Sequence, residues 1–225
     1  MSGPLSRAVV ESIVREVIIR RLGEPRCAVA GGSAAPLAVN ASARHLHISQ
    51  EHLDRLFGPG YQLTPFRPLH QEGHFAAKET VTLIGPRSRV LSNLRIHGPV
   101  RHETQIELAY TDAIGLGIED VPVRLSGDVS GTPGACIMGP AGMVELKEGI
   151  IRAAIHVHMG PADAADYGVK HLDVMKLRIG GAAGITFDRV HVRVDPTHRL
   201  EVHMDTDQAN ACGLHLGPEV ELYRQ

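Results

Sequence analysis

Beyond residue 37 the chain is a series of short β-branched runs cut by glycine or proline: TVTLIGP (80–86), LRIHGPV (94–100), TQIELAY (104–110), VPVRLSGD (121–128), IIRAAIHVHM (150–159), VMKLRIGG (174–181), RVHVRVD (189–195) and LEVHMDT (200–206). Strands this closely spaced, with no long amphipathic helix between them, build β-barrels or sandwiches rather than a helix-wrapped parallel sheet. The helical patterns here are short, SQEHLDRLF (49–57) and GPADAADYG (160–168). Each begins directly after two histidines one residue apart: His45 and His47 in the first case, His156 and His158 in the second.

That coincidence points to an internal repeat. RHLHISQEHLDRLFG faces IHVHMGPADAADYG, and TVTLIGPRSRVLSNLRIHGPV faces VMKLRIGGAAGITFDRVHVRV, each of the latter two a strand, a glycine-containing turn and a second strand. QIELAYTDAIGLG faces LEVHMDTDQANACG; skipping one residue aligns Thr111-Asp112 with Thr206-Asp207 and sets Glu107 opposite His203. The chain of 225 residues accommodates two small domains of about 100 residues each. The expected fold is therefore mainly β, with two related β-barrel domains capped by short helices, the first over residues 37–150 and the second over 151–225.

Residues 1–36 differ in texture. Val9, Val10, Ile13, Val14 and Val17 lie on one helical stripe with Arg7, Glu11, Arg15 and Glu16 opposite, so an amphipathic helix is predicted over 4–22, opened by Pro4 and stopped by Gly23 and Pro25. GEPRCAVAGGSAAP follows as a linker, which suits a tethered docking element; the alternative is a helix that packs on the body. Glu11 and Glu16 speak against a secretory or organellar leader. A formal charge of −2 argues against a nucleic-acid partner. No run approaches the ~18 apolar residues of a membrane span. Cys27, Cys136 and Cys212 are odd in number and lack C-x-x-C spacing, which favours a reducing interior.

In a strand, residues two apart share a face, so each H-x-H presents two imidazoles side by side. Zinc accepts imidazole nitrogen at about 2.0–2.1 Å and keeps an open position when three protein ligands hold it for catalysis. The repeat offers two such sets: His45, His47 and Glu107, and His156, His158 and His203. Glu79 competes with Glu107 for the carboxylate place, and the repeat selects Glu107 because it faces a histidine. The other histidines, His97 and His198 among them, read as exposed or packed. The glycine-rich LSGDVSGTPG (125–134) lacks the Lys-Ser/Thr of a P-loop and reads as a turn, with Ser126 and Arg124 as candidate ligand contacts.

These residues resemble a known family, the PduL-type phosphotransacylases (phosphate propanoyltransferases). The resemblance runs through RHLHIS, LTPF with FAAKETVTLIGP, GPVRHETQIELAYTDA, PVRLSGD, IHVHM and LEVHMDTDQANACG, roughly residues 37–216. It implies two β-barrels, a two-zinc centre between them, and reversible acyl transfer between coenzyme A and inorganic phosphate. Carried onto this sequence, the metal ligands fall on His45, His47, Glu107, His156, His158 and His203. The phosphate-contacting arginine falls on Arg101, and Ser42 matches a position near coenzyme A. Around its second H-x-H this chain has AAIHVHMGPADAADYG in place of a bulkier polar pairing, which keeps the ligands and changes the flanking loop. In members that work inside bacterial microcompartments, the N-terminal helix is an encapsulation peptide, and residues 4–22 look like one. A bacterial cytoplasmic enzyme inside a microcompartment follows, with shell or cargo proteins as partners and self-association into a homo-oligomer open to the helix.

Phosphate is a modest nucleophile that must be held and oriented, which metal and a bidentate arginine can do, so direct displacement of the thiolate needs no protein nucleophile. An acyl-enzyme on Cys136 or Cys212 is the competing mechanism. A two-metal thioester hydrolase and a non-catalytic, microcompartment-associated zinc-binding module are the alternative functions at this stage.

Overall fold

A computed structural model describes residues 37–224. The expected helix over 4–22, its linker and Cys27 lie outside the described residues. In chain order the elements are β1 (Ala38–Ser42), β2 (His45–His47), α1 (Gln50–Phe57), β3 (Pro65–Pro68), β4 (Phe75–Ile84), β5 (Val90–Gly98), β6 (Gln105–Glu107) and α2 (Tyr110–Leu116). Then follow β7 (Val123–Arg124), β8 (Ala135–Met138), β9 (Met143–Leu146), β10 (Ile150–Ala153), β11 (His156–Met159), α3 (Pro161–Tyr167), β12 (Val174–Ile179), β13 (Ile185–Val194), β14 (Glu201–Asp205), α4 (Thr206–Ala211) and β15 (Val220–Arg224). The fold is mainly β, as expected, and its two sheets curl as half-barrels.

The first sheet runs β7-β10-β6-β2-β5-β4-β8-β9, with β3 added on β4, and the second runs β1-β14-β11-β13-β12-β15. Within them the repeat appears as topology. β10-β6-β2-β5-β4 pair in turn parallel, antiparallel, parallel and antiparallel. β1-β14-β11-β13-β12 repeat that sequence of directions strand for strand. Helices recur at the same points, α1 after β2 and α3 after β11, α2 after β6 and α4 after β14. The sheets do not divide where the sequence does: β1 precedes the first sheet in the chain yet pairs with β14, and β10 adjoins β11 in the chain yet pairs with β6.

Period-two alternation fixes which way each H-x-H faces. Leu46 and Val157, the residues between the histidines, are fully buried, each in the core of its own sheet. The histidines therefore project from the opposite face. Caps set where the helices leave the strands. Ser49 Oγ accepts from His52 N at the start of α1, and Asp205 and Gln208 form a reciprocal capping box at α4. The Thr-Asp motifs of the two repeats meet each other: Thr111 N and Oγ1 donate to the Asp207 carboxylate at 2.9 and 2.6 Å. Nearby the Arg152 guanidinium lies over the Tyr110 ring at 5.1 Å.

Leu46→Ala deletes three carbons from a position with no exposed surface and is expected to cost about 2–5 kcal/mol of stability, read as a lower urea midpoint. An unchanged midpoint would show that β2 is not anchored through Leu46.

Candidate active site

The two imidazole-bearing faces lie against one another. His45, Glu107, His156 and His203 line one pocket with Ser42, Ala43 and Ala154. Strand register orders the groups on each face. In the first sheet, His45 stands between Glu107 on β6 and Arg95 on β5, and His47 stands beside Gln105. In the second, His156 stands between His203 on β14 and His191 on β13, and His158 between Glu201 and Arg193. Glu107 and His203 thus occupy equivalent ladder places.

Both leading histidines are oriented in the same way. His45 Nδ1 donates to the Ala43 carbonyl and His156 Nδ1 to the Ala154 carbonyl, each at 2.8 Å. A carbonyl can only accept, so these bonds fix the tautomer that leaves Nε2 as a free lone pair. The Nε2 atoms of His45 and His47 stand 3.6 and 3.8 Å from the Glu107 carboxylate. A third imidazole joins them: His97, on β5, stacks on His45 with centroids 4.0 Å apart. The ligand atoms of His45, His47 and His97 lie within 4.8 Å of one another, a triad that could hold a metal ion. In the second half His156, His158 and His203 have centroids 4.7–5.3 Å apart. His198 stacks on His158 at 4.0 Å, as His97 does on His45.

Several observations fit a metal here. His47 Nδ1 is buried without a hydrogen-bond partner, which is costly unless something else engages it, and His203 Nε2 meets only the Glu201 carboxylate, at 3.1 Å. The leading imidazoles are held by carbonyls through the other ring nitrogen, the usual outer support of a metal-binding histidine. Imidazole-rich sets with one carboxylate suit zinc and its transition-metal neighbours. Burial drives the histidines neutral, the form that ligates: His156 is pushed down to about 4, by burial and then by His203, and His97 to about 3, by burial and then by His45. His47 and His158 move further in the same direction, again chiefly through burial. For Glu107 burial acts upward, but His45, His156, Ser126 and Arg101 outweigh it and keep the carboxyl below the usual range.

Arg101 is placed by its own backbone, whose N–H donates to the Ile48 carbonyl just past β2. Its guanidinium donates to Ser126 Oγ at 3.1 Å; Gln105 Nε2 donates to the same oxygen at 2.8 Å and to Glu107 at 2.7 Å. The glycine-rich turn thus carries Ser126 to the site, with Gly127 N donating to Gln105 Oε1. Arg124 pairs with Asp128 at 3.6 Å instead. Ser42 Oγ lies 3.4 Å from His203 Nδ1, a contact that exists because β1 crosses into the second sheet. Glu79 accepts from Tyr61 OH and Thr64 N, which binds the β3 approach to β4, while Glu107 is the carboxylate against His45 and His47.

Sequence reasoning missed His97, His198 and Gln105. His97 lies two residues past Arg95 in LRIHGPV, but the overlay set it opposite His191. By ladder register Arg95 corresponds to His191, and His97 continues to the place of Arg193. Bulges in the β4–β5 and β12–β13 hairpins fall at different points and slip the two sequences by two residues.

Comparison with known proteins gives the family. The sequence profile of the phosphate propanoyltransferase family matches residues 38–215. A phosphate propanoyltransferase of Planctopirus limnophila is 50% identical, over 100% of this chain and 94% of its own length. That of Thermotoga maritima is 49% identical over 80% of this chain and 86% of its own; that of Salmonella typhimurium is 44% identical over 79% and 84%. These matches make the chain an acyltransferase. The chain belongs to the phosphate propanoyltransferase family.

The neutral histidines make stability acid-sensitive. Between their ordinary 6.5 and about 4 the unfolded chain binds protons that folded His156 and His97 refuse, so unfolding free energy rises with pH across that window and falls on acidification. Urea midpoints of metal-stripped protein are expected to drop steadily from pH 6.5 to 4; a flat profile would show that the fold accepts those protons.

Proposed function

We propose that the protein reversibly converts a short-chain acyl-coenzyme A, propanoyl or acetyl, and inorganic phosphate to acyl phosphate and free coenzyme A. The proposed cofactor is a pair of zinc ions. One would be held by His45, His47 and Glu107 and the other by His156, His158 and His203. Bound there, zinc would supply Lewis-acid polarisation of the thioester carbonyl and charge for the phosphate. The observation that carries the reading is the pairing of two carbonyl-oriented H-x-H strands, one per half, on one pocket beside a serine-held arginine.

In the proposed reaction Arg101, steadied by Ser126, grips phosphate oxygens and aims a third at the carbonyl carbon. One C–O bond forms, the C–S bond breaks, and coenzyme A leaves as thiolate, which needs no strong acid. Ser42, at the rim beside His203, is assigned to the coenzyme A side. Direct displacement is supported by the cysteines: Cys212 is buried and burial pushes its thiol up, and Cys136 sits on β8, outside the pocket lining. We divide the chain into residues 1–36, 37–150 and 151–225. We assign residues 1–36, on sequence pattern alone, to docking on microcompartment shell or cargo proteins in a bacterial cytoplasm. Among the described residues no helix is long and apolar enough to cross a membrane.

Glu107 is the preferred carboxylate ligand because it faces both Nε2 atoms, whereas His97 meets His45 ring to ring. Glu107→Gln is expected to lose metal through dialysis while His97→Gln retains it; the reverse pattern would transfer the ligand role to His97. For the activity, metal-replete protein is expected to release coenzyme A from propanoyl-coenzyme A only with phosphate, accumulating acyl phosphate, and Arg101→Gln to lose at least about a hundredfold in kcat/KM for phosphate. Release that ignores phosphate would make it a thioester hydrolase, and no release would leave a binding module.

A further inference from the structure

We infer that Arg193, on β13 of the second sheet, is a second phosphate-holding arginine, so that the anion is gripped by one guanidinium from each half of the cleft. This deepens the phosphotransfer reading and rests on it. Arg193 stands directly beside His158 in the β11–β13 ladder, and in-register neighbours share a face, so its side chain leaves the sheet on the side that carries the imidazoles. At the corresponding ladder place the first sheet carries His97, one of the imidazoles of the metal-capable triad. A guanidinium has five donors and no lone pair to give a metal, so at that place the second half carries an anion donor where the first carries an imidazole.

The guanidinium acts through its charge on Asp195 but is not held by a side chain. Among the described residues it forms no ion pair and no side-chain hydrogen bond, although the residue is only partly exposed. Its backbone is used instead: the Arg193 carbonyl accepts from His198 Nδ1 at 3.0 Å, which sets His198 against His158. The carboxylate in the same row, Glu201, lies on the far side of His158, two strand spacings or about 10 Å away, and is occupied by Asn40, His70 and His203. Asp195 accepts from Thr197. Arg193 is close enough to the other half that its charge opposes that of Arg101, whose acidity burial and Arg193 both raise while Glu107 acts the other way. It acts on His156 and His158 in the same sense. Two cations whose charges act on one another beside the imidazoles repel each other until a dianion lies between them. A tetrahedral dianion presents enough oxygens for two arginines and for attack as well.

The test is calorimetric titration of metal-replete full-length protein with inorganic phosphate, beside steady-state kinetics, for the wild type, Arg193→Gln, Arg193→Lys and Arg101→Gln. Arg193→Gln is expected to weaken phosphate binding and raise KM for phosphate at least about tenfold, leaving KM for acyl-coenzyme A within about twofold, and Arg193→Lys to recover only part because it loses the fork. Unaltered phosphate affinity in Arg193→Gln, with Arg101→Gln impaired, overturns the inference. Should Arg193→Gln fail to fold, Arg193→Lys decides the matter, since wild-type affinity in it removes the need for a fork. A wild type that binds phosphate yet shows no phosphate-dependent release of coenzyme A would defeat the transferase reading, while the calorimetry still decides the role of Arg193.

Discussion

The structure depends on one constraint: in a strand, the residue between two same-face side chains must enter the core. Leu46 and Val157 do so completely, each anchoring its sheet, and the paired histidines are thereby forced onto the opposite face. Packing energy and site geometry are set by the same three residues in each half. Neutral imidazoles are buried at a cost, and the carbonyls of Ala43 and Ala154 offset part of it by accepting from Nδ1. The same bonds turn the Nε2 edge of each ring away from its carbonyl, which makes the face a metal-capable surface.

Strand exchange makes the two halves one object. β1 pairs with β14 and β10 with β6, so the segments joining the halves are themselves strands of the opposite sheets. This brings Ser42 to His203, and Thr111 reaches across to Asp207. A cleft built this way is shared by construction, and its two faces need not be identical. Glu107 against His203, and His97 against Arg193, are among the places where the two faces differ, as are Gln105 against Glu201 and Arg95 against His191.

Much of this was legible in the sequence. The short β-branched runs gave the fold class, and two H-x-H motifs at equivalent repeat positions gave His45, His47, His156 and His158. The Thr-Asp alignment set Glu107 opposite His203, and the ladders place them so. The rest was hidden for physical reasons. A strand's partner is a long-range choice, so nothing local in LAVNAS announces that β1 belongs to the second sheet. His97 and Arg193 were misaligned because bulges, which add a residue to one strand only, break a turn-to-turn overlay. Ser126 was visible as a turn residue, but the chain from Arg101 through Ser126 and Gln105 to Glu107 joins residues whose proximity only the fold creates.

The central claim is that the two H-x-H strands are separate halves of one metal-dependent cleft. It is tested most directly by counting zinc per chain, by elemental analysis, in the wild type and in the double variants His45→Ala/His47→Ala and His156→Ala/His158→Ala. The account predicts two equivalents in the wild type, the loss of one in each variant, and no phosphate-dependent coenzyme A release from either. Full metal content and turnover after removal of either pair would contradict it.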